Sequence, residues 1–191
     1  MGLTLVTPPG AMPVTLAEAK QHCRVDHTDD DAMITLYIAA ATSLLDGEDG
    51  ILGRCLMPQT WDLHYDAFPC QGGAIKIPLP PLIDVNWVKY FDANGDEQSL
   101  IEGTDYAIDL HQLYGWVIPA GDWPAAASDI INAVYIQFYA GYPAGVPAAI
   151  KGAILECVAD MYRIRAPTVV GETVAETTVM KRLIDPYRII F

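Results

Sequence analysis

The chain has 191 residues, 52% of them apolar, and carries 24 acidic against 11 basic side chains for a formal net charge of -13. So much apolar material excludes a generally disordered polymer and suffices for one core or two small ones. The charge excludes an outward-facing nucleic-acid surface, because such binding relies on cations that displace counterions from phosphate.

The acidity is uneven. Residues 147–191 hold 6 basic and 5 acidic groups, whereas the rest of the chain holds 5 basic and 19 acidic ones. The C-terminal quarter is therefore the part suited to approach an acidic partner or another copy of the chain. At the other end, Pro8, Pro9 and Pro13 interrupt any apolar leader, so neither a secretion signal nor a membrane span is expected. Val6 stands where a myristoylation pattern needs Ser or Thr.

Thr15-x-x-Glu18 has the form of a capping box, in which each side chain satisfies the other residue's backbone N–H, and predicts a short helix to about Arg24. Thr28 or Asp29 then caps a second helix, with Asp30 and Asp31 complementing the positive end of its dipole. Met33, Ile34, Tyr37, Ile38, Ala41, Leu44 and Leu45 recur at three- and four-residue intervals and predict its buried face, ending near Gly47–Gly50.

From about Pro58 to Tyr142 the periodicity changes to two and the aromatic content rises, which predicts a β region. Trp61, Leu63 and Tyr65 alternate with polar neighbours; Val85, Trp87, Lys89 and Phe91 form one row of a strand; Val134, Ile136 and Phe138 form another. Asn94-Gly95 offers the positive φ angles of a two-residue hairpin. Shorter strands are expected at Ile75–Ile77, Tyr106–Asp109 and Trp116–Ile118, with prolines such as Pro80 and Pro81 blunting edges.

Pro147 opens a third helix with the stripe Ile150, Ile154, Val158 and Met161, and Pro167 stops it. Thr168–Val179 reads as extended, and a last short helix over Thr178–Tyr187 is interrupted by Pro186. Helices near both ends of the chain, each with a face it cannot bury alone, should pack together around an inserted β region. The fold class is thus α+β, with residues 1–54 as N-terminal helices of a bundle, 55–145 as the inserted antiparallel β region, 146–166 as the third bundle helix, and 167–191 as an extended tail with a short helix.

Candidate chemistry is sparse. Cys23, Cys55, Cys70 and Cys157 form no Cys-x-x-Cys pair and read as buried reduced thiols. His22, His27, His64 and His111 are not spaced to share a metal, and the adjacent His22 and Cys23 would point about 100° apart on a helix. Asp26-x-Thr28-x-Asp30 fails as a calcium loop because Asp31 replaces the required Gly and Tyr37 the closing Glu. No catalytic, metal or cofactor site is expected, and the chain reads as a non-enzyme. An aromatic β face could also bind a ligand or glycan, but rings alternating with polar residues fit core packing better.

Pro13-Val14-Thr15-Leu16-Ala17-Glu18-Ala19-Lys20, then Arg24-Val25-Asp26, Asp29–Asp31, Ile38–Ala41, Val146-Pro147 and Val169-Val170-Gly171-Glu172 occur in an order that resembles the head-tail connector, or head completion adaptor, family of long-tailed phages, prophages and gene transfer agents. The resemblance implies a structural subunit of the virion neck, made in the host cytoplasm. About twelve copies would form a ring between portal and tail that continues the DNA channel. The implied partners are other copies of the chain, the portal protein and tail-side neck proteins, while DNA passes without specific binding and no membrane is involved. The implied portal or inter-subunit contact lies in the C-terminal segment, at Val169, Val170, Glu172, Val174, Met180, Leu183, Ile184, Tyr187, Arg188, Ile190 and Phe191. The acidic 46–50 turn, Cys55 and Cys70 depart from the commonest family pattern. A neck or tail-completion subunit one layer lower, or a ligand- or glycan-binding β module, are the alternatives.

Overall fold

The computed structural model describes residues 1–164 and 178–189. The chain forms two compact units, one of Met1–Gly10 with Met57–Pro143 and one of Ala11–Leu56 with Ala144 onward. The α+β class read from the sequence holds.

The helical unit contains α1 (Leu16–Cys23), α2 (Asp31–Leu45), α3 (Ala148–Arg163) and α4 (Thr178–Ile184), followed by a 3-10 turn over Asp185–Tyr187. The capping box forms as expected: the Glu18 N–H donates to Thr15 Oγ1 at 3.3 Å and the Thr15 N–H to Glu18 Oε2 at 2.9 Å. Helix α2 is capped at Asp30, one residue beyond Asp29 and two beyond Thr28, the two expected caps. Asp30 holds the cap position without a side-chain capping bond, because its carboxylate instead accepts the Tyr162 hydroxyl of α3 at 2.6 Å. Ile34, Ile38, Ala41, Thr42 and Leu45 face inward from α2, and Ile150, Ala153, Ile154 and Val158 from α3. Each of the large aliphatic side chains among these contributes about 1.5–3 kcal/mol by leaving water.

The acidic turn after α2 has a structural role that its charge conceals. Asp46 Oδ1 accepts the Leu56 N–H at 2.7 Å, and the Gly47 N–H donates to Arg54 O at 2.9 Å. These bonds fold the connection back, so that Leu52, Cys55 and Leu56 are fully buried. A Cβ on Gly50 would overlap the Asp46 carbonyl, so the loop closes only around glycine there. Cys55 is thus the buried thiol expected of all four cysteines. Cys23 and Cys157 are half-buried and Cys70 is exposed.

The β unit holds a five-stranded antiparallel sheet in the order β1-β2-β8-β4-β5 and a three-stranded one in the order β3-β7-β6. The strands are β1 (Gly2–Thr7), β2 (Gln59–Tyr65), β3 (Ile75–Ile77), β4 (Leu82–Phe91), β5 (Glu97–Leu100), β6 (Tyr106–Asp109), β7 (Gly115–Pro119) and β8 (Val134–Ala140). Residues 1–54 do not all join the helices: β1 pairs with β2, placing Leu3 opposite Leu63 and Leu5 opposite Trp61. The first ten residues therefore belong with the β unit.

Two local departures have clear causes. A register shift between Val85 and Trp87 sets Asn86 and Trp87 against the single residue Gln137, so Val85 and Val88 both face the core while Trp87 and Lys89 lie on the other face. Simple alternation would have put Trp87 beside Val85. In the β4–β5 hairpin only Gly95 takes a positive φ, of 82°. The Gly95 N–H bonds Asp92 O and the Asp92 N–H bonds Asp96 O, giving a three-residue loop with a glycine bulge in place of the two-residue turn.

Candidate interaction surfaces

Among the described residues, no group of three or more His, Cys, Asp or Glu is placed to hold a metal ion. Three of the histidines make structural contacts: His22 lies 3.8 Å from Glu156, His27 4.0 Å from Asp30, and His64 stacks on Tyr135. No described helix is long and apolar enough to cross a membrane.

Charged side chains tie the helical unit together. Lys151 of α3 contacts Glu18 at 2.5 Å, and Lys20 of α1 contacts Asp31 of α2 at 2.5 Å. The Lys151 ammonium, then the Thr15 backbone and hydroxyl, lower the Glu18 carboxyl from its ordinary 4.5 to about 2. Because the folded value is the lower one, the stabilisation is present above pH 4.5 and is lost as pH falls from there through about 2. Glu18 is 38% exposed, so water screens the pair and its worth stays below about 1 kcal/mol. Glu18→Gln keeps an acceptor for the capping box but loses the charge. Its stability deficit in denaturant titrations should be under about 1 kcal/mol at pH 7 and vanish near pH 2. A deficit that grows on acidification contradicts this assignment.

The five-stranded sheet presents an aromatic face of its own. Tyr135 meets Trp87 edge-on at 5.2 Å between centroids and stacks on Phe91 at 5.9 Å, while Lys89 sits over Trp87 at 5.3 Å and pairs with Glu97 at 2.8 Å. Burial, then the Glu97 carboxylate that accepts its hydroxyl, push the Tyr135 phenol well above its ordinary value. Lys89, then Tyr135, hold Glu97 below its own. These rings spend their faces and edges on one another, which favours the packing role over a glycan platform.

The C-terminal contact residues expected from the sequence separate into three sets. Val169, Val170, Glu172, Val174, Ile190 and Phe191 lie outside the described residues. Ile184 is only 4% exposed, and Leu183 covers Gly152 of α3, where a Cβ would sit 3.6 Å from Leu183 Cδ1. Ile189 is also buried, with its N–H on Leu52 O, and Arg54 lies over the Tyr187 ring at 5.8 Å. This inward set is taken up by its own subunit, since α4 packs on α3 and can bury only one face there. Met180 is half-buried, while Val179, Lys181, Arg182 and Arg188 are exposed.

Helix α2 presents a surface where its periodicity predicts core. Met33 is 45% and Leu44 44% exposed, although both fall in the buried face that the spacing predicts, and Leu36 is 60% exposed. After Asp31 the helix is uncharged all round and carries large apolar side chains on both sides, so periodicity does not say which side the neighbouring helices cover. The available signal is the lack of any charge from Ala32 to Leu45.

Residues 13–78 match the phage gp6-like head-tail connector family. The match spans α1, α2 and the chain to the end of β3, and bears out the resemblance carried by Pro13–Lys20 and the aspartate-rich link. Likeness of fold extends over the rest. A chain of the virion of a native gene transfer agent particle superposes with a TM-score of 0.80 at 21% identity, covering 100% of this chain and 97% of that one. Chains of the neck of an empty gene transfer agent particle, computed with C6 symmetry, and of the neck of a native particle, computed with C12 symmetry, give TM-scores of 0.76 and 0.73 at the same identity and coverage. No curated protein sequence matches the connector-like chain.

Proposed function

We propose that this chain is a non-enzymatic adaptor subunit of a phage or gene transfer agent neck, assembled as a ring of about twelve copies between portal and tail around the DNA channel. The observation that carries this reading is the connector match over residues 13–78 together with full-length likeness to chains of neck particles. The neck geometry computed with C12 symmetry supports the copy number.

Charge fits the channel role. DNA that must slide needs walls without many cationic phosphate contacts, and a net charge of -13 per copy suits that role. The purified chain should show no tight, salt-sensitive binding of duplex DNA.

Measuring the mass of the complex formed with the portal ring of the parent particle tests the reading. A twelvefold increment of the 20.8 kDa chain is expected. Failure to bind portal rings at any concentration contradicts it, as does nanomolar, salt-sensitive DNA affinity.

A further inference from the structure

Helix α2 offers two faces of similar apolarity and its own subunit covers only one. On the other, Met33, Leu36, Ala40 and Leu44 follow at intervals of three and four residues and are all exposed, with Ile51 at 37% exposure beside Leu44 through the Ile51 N–H to Leu44 O bond. The stripe runs about 17 Å along the helix. Carboxylates bracket it, with exposed Asp29 before the helix and exposed Glu48 and Asp49 after it. Uncharged apolar surface of this kind, rimmed by polar groups, marks a contact site.

Charge selects the occupant. Most of this chain is acidic, so a copy that docked through almost any other segment would bring like charges together. The described C-terminal stretch 178–189 carries a net positive charge, with Lys181, Arg182 and Arg188 against Asp185. Its outward face shows Val179 at 52% exposure beside exposed Arg182, one helical turn apart. Helices α2 and α4 each pack on α3, so acceptor and donor are different surfaces of one bundle, as a head-to-tail ring contact requires and a two-fold contact does not.

We infer that, in the ring proposed above, the outward face of α4 of one copy seats on the α2 stripe of the next: Val179 meets Leu36 within the stripe, and Arg182 and Arg188 approach the flanking carboxylates. The inference rests on the ring reading and assigns its contact.

Cross-linking tests it in the intact chain. In a Cys70→Ser background, which removes the exposed native thiol, Leu36→Cys and Val179→Cys are combined and treated with a short bis-maleimide on portal-bound assemblies. A ladder of covalent multimers that needs both substitutions is expected. Leu36→Glu should raise the concentration for half-assembly at least tenfold without moving the melting temperature, since Leu36 is 60% exposed within its own subunit. Rings that form with no ladder, or a Leu36→Cys chain that cross-links only to a different protein, overturn this contact and leave the ring reading intact. A chain that neither assembles nor cross-links overturns both.

Discussion

Replacing residues 168–177 with a Gly/Ser segment of equal length is expected to abolish capture by the portal, by at least a hundredfold in affinity, while leaving the melting temperature unchanged. The segment is rich in Thr and Val, residues of high β-propensity, and a sequence of that composition is suited to adding a strand to a partner's sheet edge, with alternate side chains selecting the register. Truncation after Arg165 is a poorer experiment. It would also remove Ile184 and Ile189, which fill the helical unit, and the Ile189 N–H bond to Leu52 O. Losing buried side chains of that size costs about 2–5 kcal/mol each, so the truncated chain would fail to fold for reasons unrelated to docking. The equal-length replacement separates the two effects. Measured by surface-immobilised portal rings and thermal melting, undiminished capture would sink the proposed role of the segment, and a large loss of stability would place it in the subunit core.

Gly141→Ala should destabilise the β unit by about 3 kcal/mol or more. Gly141 follows β8 with a φ of 128°, in a region that residues bearing a Cβ rarely enter. Space is also lacking: an added Cβ would overlap the Met57 carbonyl and lie 2.7 Å from Pro58 N, and all of these are backbone atoms that cannot swing aside. Moving them would disturb the start of β2, where Gln59 pairs with Ala140, and the bond from the Gly141 N–H to Pro81 O. Gly121→Ala is the matched control, because nothing lies within 4 Å of its Cβ position and its φ is not in the left-handed region. Denaturant unfolding of the two variants should therefore differ by several-fold in cost. Equal costs would show that the strand junction relaxes freely.

Much of this architecture is legible in the sequence because single side chains carry unambiguous local physics. Thr15 and Glu18 specify a helix start, Pro147 another, and Pro186 the break between α4 and the 3-10 turn. The strands that alternate over a core, β2 and β8, are readable for the same reason. What is not legible depends on partners distant in sequence. Strand β1 is an edge with Leu5 and Val6 exposed, so its pairing is written in backbone bonds to β2 and not in an alternating pattern. The bulge at Asn86 and Trp87 inverts the assignment of Trp87 and Val88 because one extra residue switches every later side chain to the other face. Asp30 gives up a capping role to Tyr162, a residue more than a hundred positions away.

The candidate surfaces divide along the same line. Basic character at the C-terminus is visible from composition, and Arg182 and Arg188 are exposed as that reading requires. Which apolar residues of α4 face outward is not visible, since a seven-residue helix gives periodicity too few turns to mark a side. Packing against α3 decides it, turning Ile184 inward and Val179 outward.

A reconstruction of the parent particle, resolved at the junction of head and tail, tests the central claim most directly. Density for this chain is expected as a closed ring of about twelve copies directly beneath the portal, with DNA passing through the opening and α4 of each copy against α2 of its neighbour. A single copy per particle, or a position away from the neck, would contradict it.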